Sequence, residues 1–291
     1  MNAATHSKCL ICDNPAYRPV LRKNDADLVQ CTACGFVFFR QIPTAQELEK
    51  HYQGYGRNDY LSPVTVKRYH EILDRLEPYR QTGRLLDVGC GIGYFLEVAK
   101  NRGWEVHGTE YTDRAVEICV SKGISMHKGA LDTANYPAGS FDVLTSFEVI
   151  EHINNPQEEL RKFYTLLRPG GVVYITTPNY NSLQRIQLRE RCTVITYPEH
   201  LSYYTPRTLT LLFERCGFNK LRIETTGISI TRLKVGAGKS TQPYISQQSD
   251  DEKLRVLMEE NRLMGLLKRA VNFGLNAMGI GDSLKGFFVK A

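Results

Sequence analysis

Leu85-Leu86-Asp87-Val88-Gly89-Cys90-Gly91-Ile92-Gly93-Tyr94-Phe95 reads as a short buried strand, a glycine loop and the start of a helix. Leu85, Leu86 and Val88 suit a strand covered on both faces of a parallel sheet. Gly89, Gly91 and Gly93 allow a sharp turn and a close approach of backbone to a ligand, which a Cβ would block. Residues 95–100 look helical, so the loop opens onto a helix N-terminus with free N–H donors. Such a site takes an anionic or polar cofactor at the carboxyl end of the first strand. The spacing is G-x-G-x-G, not the G-x-G-x-x-G of dinucleotide binders. Glu110 closes the next strand-like run, residues 104–109, about twenty residues beyond the loop, a spacing that reaches ribose hydroxyls.

Together, Asp87, the glycine triplet, the helix and Glu110 resemble motif I of class I S-adenosylmethionine-dependent methyltransferases. The resemblance implies S-adenosylmethionine as cofactor. Asp87, Gly89, Gly91, Gly93, Glu110, Tyr111, Leu131 and Phe147 then stand at the cofactor-binding positions.

The 291 residues are 42% hydrophobic and 23% charged, an ordinary globular composition that accommodates one large domain plus attachments. No apolar run approaches the ~18 residues needed to span a bilayer. The polar start, residues 1–8, carries no signal-peptide core, and a cytoplasmic location is expected. The net charge is +6, with 37 basic and 31 acidic residues interspersed. That permits contact with nucleic acid or a membrane surface without demanding it.

Cys9, Cys12, Cys31 and Cys34 form C-x2-C-x18-C-x2-C. In a reducing compartment two such knuckles read as a tetrahedral zinc site. Four cysteines leave no open position for water, so the zinc is structural, and a module this small folds with the metal. Cys90, Cys119, Cys192 and Cys216 are scattered single residues. Phe36, Val37, Phe38 and Phe39 look like a strand that docks the ribbon on something larger. The expected organisation is a zinc module at residues 1–42, a linker or lid at 43–61 and a catalytic domain at 62–291. Tyr52, Tyr55 and Tyr60 in the linker are equally suited to surface packing and to a lid.

Ser62-Pro63 starts a helix, Ser as N-cap and Pro at the first position. Beyond the opening strand, helices at 95–101, 113–122 and 157–167 alternate with strands at 104–109, 124–127, 141–146 and 172–176. This β-α alternation predicts an α/β fold: a Rossmann-like, mostly parallel, seven-stranded sheet with helices on both faces. Thr205-Pro206 starts a further helix through residue 216. A strand at 221–230, a loop at 236–243, a helical insertion around 235–280 and a last strand at 284–290 follow; the methyltransferase resemblance implies that this last strand is the antiparallel member of the sheet. The insertion suits a substrate cap, a dimer element or a membrane-surface element. Asp250, Asp251, Glu252, Glu259 and Glu260 argue against the membrane.

Ser146-Phe147-Glu148-Val149-Ile150-Glu151-His152-Ile153 resembles the segment after the fourth strand in ubiquinone-biosynthesis-like methyltransferases, and Leu167-Arg168-Pro169-Gly170-Gly171 resembles their turn before the fifth. Family members usually carry Asp where Ala130 stands; here the nearest acid is Asp132. The zinc ribbon and the Glu199-His200-Leu201-Ser202-Tyr203-Tyr204-Thr205-Pro206 segment add a likeness to methyltransferases of surface-sugar and secondary-metabolite pathways. A small-molecule or sugar acceptor follows, methylated on a hydroxyl. His is the usual base for such a proton. His152 and His200 follow the fourth and fifth strands at the edge where the methyl group belongs, and Glu199 could orient His200. Glu148 and Glu151, three apart on one helix face, suit a salt-bridged helix start or a divalent ion. The alternative is an RNA methyltransferase that grips RNA with its ribbon. Arg18, Arg22, Lys23 and Arg40 offer charge for that, but Asp13, Asp25 and Asp27 offset them.

Overall fold

The computed structural model describes residues 4–44, 46–48, 60–241 and 247–291. Tyr52, Tyr55 and most of the expected lid lie outside the described residues, as do Gln242 and Pro243 of the expected loop.

The quoted stretch forms β4 (Arg84–Val88), the glycine loop and a helix, Tyr94–Asn101. Before it come β1 (Tyr17–Lys23), β2 (Ala26–Cys31), β3 (Val37–Phe39) and α1 (Pro63–Leu76). Ser62 caps α1 by accepting from the Val64 N–H, with Pro63 at the first position. Counting Tyr94–Asn101 as α2, the chain then alternates through β5 (Glu105–Glu110), α3 (Asp113–Ser121), β6 (Ser125–Lys128), β7 (Phe141–Phe147), α4 (Pro156–Leu166) and β8 (Leu167–Pro178). Next come α5 (Leu183–Leu188), β9 (Ser202–Tyr203), α6 (Pro206–Arg215) and β10 (Phe218–Thr226). Last are α7 (Ile230–Gly236), α8 (Asp250–Glu260), α9 (Arg262–Met278) and β11 (Ser283–Lys290).

The seven-stranded sheet runs β10-β11-β8-β7-β4-β5-β6. The pairs among β4 to β8 are parallel, and β11 is antiparallel to both of its neighbours. From β4 the chain moves outward to β5 and β6, then returns to β7 on the other side. The crevice beyond the carboxyl ends of β4 and β7 is therefore a topological switch point, where open α/β sheets bind ligands. Successive strand residues face opposite layers. Leu85, Val143 and Tyr174 pack with Phe95, Leu96 and Trp104 on one side. Leu86, Leu144 and Ile175 pack with Phe163, Phe213 and Phe288 on the other.

Two strand bounds differ from expectation. The 167–171 segment is not a turn before β8 but its bulged beginning: Phe141 pairs with Leu167 and Val143 with Val172, with the register shifting between them. Gly170 at φ +71° absorbs the extra residues. The strand expected at 221–230 is β10, three residues earlier at its start and closed by Gly227 at φ +80°.

The ribbon is not a free-standing module. Its strands form a second sheet, β1-β2-β3-β9, whose fourth strand comes from far along the chain. Val37 pairs with Tyr203 and Phe38 with Ser202. The Phe36 ring lies 5.2 Å from that of Tyr204, and Ile11, Phe36 and Phe38 share one core with Leu160 and Phe163.

Candidate functional site

Gly89, Gly91 and Gly93 all have positive φ, at +71°, +54° and +75°. A Cβ on Gly89 would lie 2.6 Å from Val149 Cγ2, so only glycine lets the end of β4 pass beneath the segment that follows β7. Glu110, at the end of β5, ties the loop to the next strand. Its Oε2 accepts the Gly91 N–H at 3.0 Å, and its Oε1 accepts the N–H of Tyr111 at 2.8 Å and of Thr112 at 3.3 Å. Each carboxylate oxygen has two lone-pair directions, so acceptor capacity remains for ribose hydroxyls.

The other expected cofactor positions divide. Asp87 is buried and its Oδ1 accepts from Thr145 Oγ1 at 2.7 Å, so it props the loop from below. Leu131 is buried in the main core, where its side chain serves packing. Asp132, the nearest acid to the position usually acidic, accepts from the Ala134 N–H and caps a short turn. Tyr111 is 67% exposed beside Glu110. Phe147 ends β7 with its ring 4.9 Å from Phe95 and 6.1 Å from Tyr69 of α1.

Directly after β7, Glu148 takes a left-handed φ of +54°, a conformation that costs a non-glycine residue energy and gathers at functional sites. A single 3-10 turn, Ile150–His152, follows. Glu148 and Glu151 thus do not share a helix face: Glu148 is exposed and Glu151 is buried. Glu151 Oε2 accepts from Thr177 Oγ1 at 2.9 Å, while its Oε1 has no hydrogen-bond partner among the described residues. Burial, and then the nearby Glu148 charge, push its carboxyl well above the usual carboxylate range.

His152 and His200 meet edge to face, ring centroids 4.8 Å apart. The Nδ1 of His152 bonds the main-chain carbonyl of Glu199 at 2.7 Å, and the Nδ1 of His200 bonds that of Val194 at 2.8 Å. The Glu199 carboxylate takes the Thr196 hydroxyl and its charge acts on His200, while its backbone carbonyl serves His152. A carbonyl only accepts, so in both neutral rings Nε2 carries the lone pair. Ligand atoms from Glu151, His152 and His200 lie within 4.8 Å of one another. Burial, reinforced by His152, lowers the His200 pKa to about 4. Sequence reasoning brought both histidines to one edge but missed Thr177 and the Glu199 carbonyl, neither of which carries a motif.

A second cluster comprises Cys9, Cys12, Cys31 and Cys34. Cys9 and Cys34 sulfurs are 3.6 Å apart and those of Cys12 and Cys31 3.5 Å. Tetrahedral zinc with Zn–S of about 2.3 Å requires sulfur separations of about 3.8 Å, so the donor set fits the ion.

A family profile described as a methyltransferase domain matches residues 60–223. The chain belongs to this methyltransferase domain family. It is 29% identical over 128 residues to a ubiquinone biosynthesis O-methyltransferase of Bordetella avium, covering 42% of this chain and 52% of that protein. It is 30% identical over 154 residues to a probable S-adenosylmethionine-dependent methyltransferase of Mycolicibacterium smegmatis, covering 52% and 58%. The matches thus span little more than half the length of these relatives. The structure of a SAM-dependent methyltransferase from Archaeoglobus fulgidus superposes with a TM-score of 0.51 at 20% identity, covering 84% of this chain and 98% of that one. That likeness establishes the shared class I fold.

Proposed function

We propose that the chain transfers a methyl group from S-adenosylmethionine to a hydroxyl of a small-molecule or sugar acceptor, with His152 as general base. The observation that carries this is the Nδ1 anchor of His152 on the Glu199 carbonyl, which leaves Nε2 as a proton acceptor at the carboxyl edge of the sheet. When bound, the cofactor supplies an electrophilic methyl carbon on a sulfonium centre. The glycine loop and Glu110 hold the nucleoside end, and Tyr111 and Phe147 offer aromatic surface beside it. Alignment of the acceptor oxygen with that carbon is the main demand on the protein. His152 Nε2 takes the hydroxyl proton as the oxygen takes the methyl group. His200, neutral above about pH 4, packs against the His152 ring and fixes its plane. The relatives named for O-methylation support a hydroxyl acceptor.

A specific observation favours a second role for the same edge. The buried Glu151 Oε1, without a hydrogen-bond partner among the described residues and 4.0 Å from His152 Nε2, forms with the two imidazoles a donor set for a divalent cation, which would supply Lewis-acid assistance there with His152 as ligand in place of base. The four-cysteine cluster would hold a structural zinc. The ribbon is less suited to gripping RNA: Phe36, Phe38 and Phe39 are buried and cannot stack on bases. Arg22 and Lys8 are compensated by Asp25, Asp27 and Asp13.

The test is transfer of labelled methyl groups from S-adenosylmethionine into cell extract split into RNA, glycan and small-molecule fractions, with and without chelator. Label in the small-molecule or glycan fraction, lost in His152→Gln, supports the proposal. Label in RNA overturns it.

A further inference from the structure

Helix α9 is inside out. An ordinary surface helix turns its apolar stripe to the core. Here Leu263, Leu266, Leu267, Val271, Phe273 and Met278 are 45–76% exposed, and of the helix's large apolar side chains only Leu275 is fully buried. At 100° per residue these six, with Ala270, Gly274 and Ala277 between them, form an unbroken apolar arc of about 160°. Three polar residues tie the opposite side to the protein. Asn272 Oδ1 accepts the Gly227 N–H at 2.9 Å and Asn276 Oδ1 the Thr225 N–H at 2.8 Å. Lys268 pairs with Glu259 of α8. These bonds fix the rotation of the helix about its axis, so the outward apolar face is built into the fold.

We propose that this face lies in the headgroup–acyl boundary of an anionic lipid bilayer. Charge decides between that occupant and a second copy of the chain. Residues 262–278 carry Arg262, Lys268 and Arg269 and no acidic residue; Lys268 is taken by Glu259, and Arg269 is exposed beside the apolar arc. Two copies of α9 packed antiparallel across the apolar arc bring the mid-helix Arg269 against its own copy, with no carboxylate of their own helix to offset it. Against anionic headgroups the same charges add to the attraction. The acids that argue against a membrane from sequence belong to α8, not α9. Of these, Asp250 pairs with Lys234, Asp251 is held by Ser229 and Thr231, Glu252 by Ser62, and Glu259 by Lys67 and Lys268.

No helix among the described residues is long and apolar enough to cross a membrane, so α9 lies on the surface rather than spanning it. Its end is tied to the chemistry. Asn179, immediately after β8, donates through Nδ2 to the carbonyls of Gly279 at 2.9 Å and Gly281 at 2.7 Å. The C-terminal end of α9 is therefore fixed at the sheet edge onto which β8 opens. The inference does not depend on which base or acceptor the site uses.

The experiment is co-sedimentation of the full chain with vesicles of phosphatidylcholine alone and of phosphatidylcholine mixed with phosphatidylglycerol, alongside light scattering of the protein in solution. Wild type should partition onto the anionic vesicles, and Leu266→Asp with Phe273→Asp should weaken that partition about tenfold or more. Arg269→Glu should weaken binding to the anionic vesicles and leave the small neutral-vesicle signal unchanged. Both apolar positions are exposed, and retained S-adenosylmethionine binding in the double variant confirms its fold. Equal sedimentation of wild type and double variant, or none by either, overturns the proposal. So does a wild-type dimer that ignores vesicles and dissociates in the double variant, which assigns the face to a second copy.

Discussion

The Nδ1 of His152 lies 2.7 Å from the main-chain carbonyl oxygen of Glu199, and this contact decides which ring nitrogen can do chemistry. Because the carbonyl cannot donate, the neutral ring presents its lone pair at Nε2. His152→Gln keeps a side chain of similar reach but removes a titratable base. Its kcat should fall about 10²–10⁴-fold, with the Kd for S-adenosylmethionine unchanged because the glycine loop is untouched. Steady-state kinetics and calorimetric cofactor binding read the two quantities separately. A wild-type kcat in this variant would remove His152 from the reaction.

Glu151 carries a carboxyl that is buried at a cost to stability. Burial first, and then Glu148, raise its carboxyl well above the usual 4.5. Folding therefore favours the protonated form. The associated stability is full below the unfolded pKa and is lost as pH rises through the folded value. Glu151→Gln keeps the shape and the Thr177 contact without the charge. The Tm of this variant should exceed that of wild type by a margin that widens from acid to neutral and alkaline pH, while methyl transfer drops. A margin that stays flat with pH would show that the carboxyl is not charged at a cost in the folded protein.

The legible parts of the sequence were those where one residue type answers one physical demand. Glycine at positive φ marked the loop of Gly89, Gly91 and Gly93, and paired thiols at Cys9, Cys12, Cys31 and Cys34 marked the ribbon. Alternating β and α patterns marked the parallel part of the sheet, and the family resemblance marked its antiparallel strand. Strand β9 was not legible, because two residues have no periodicity and pair only when the ribbon is already in place. The bulged start of β8 looked like a turn because Pro169-Gly170-Gly171 has turn chemistry whether or not its flanks stay paired. The Glu199 carbonyl that anchors His152 was not legible, because sequence adjacency does not say where a loop's backbone points. The same limit hid the orientation of α9: spacing shows that Leu263, Leu266 and Phe273 share a face, not that the face points outward.

Glu110 has two tasks, and its removal should show both. Its carboxylate satisfies the Gly91, Tyr111 and Thr112 N–H groups, and it stands where ribose hydroxyls would be received. Glu110→Ala leaves those part-exposed donors to water and loosens the loop that they anchor. The Kd for S-adenosylmethionine should rise about 10–100-fold. Glu110→Gln keeps one acceptor oxygen and should lose less. Calorimetry on the two variants tests the ranking, and equal affinities for wild type and Ala would place the ribose elsewhere.

The four-cysteine ribbon should control a reaction that it does not touch. Its β3 pairs with β9 through Val37–Tyr203 and Phe38–Ser202, and the Phe39 N–H donates to the Leu201 carbonyl at 2.9 Å. On its other side Leu201 donates to the Glu151 carbonyl at 2.7 Å. The 199–204 segment, which carries the anchor for His152 and all of His200, is thus clamped between the ribbon and the site. If four thiolates hold zinc, its loss removes the folding energy of the knuckles and frees β3, and with it the clamp. Chelation, or Cys31→Ser, should lower kcat about tenfold or more, as changes to supporting residues do at other sites. Cofactor affinity should move far less, since the glycine loop and Glu110 sit on β4 and β5 and gain nothing from the ribbon. Parallel measurement of zinc content, kcat and cofactor Kd during chelator titration separates the cases. A kcat that stays at the wild-type value as zinc leaves would uncouple the ribbon from the site. A parallel fall in cofactor affinity would instead mean that the whole domain unfolds with it.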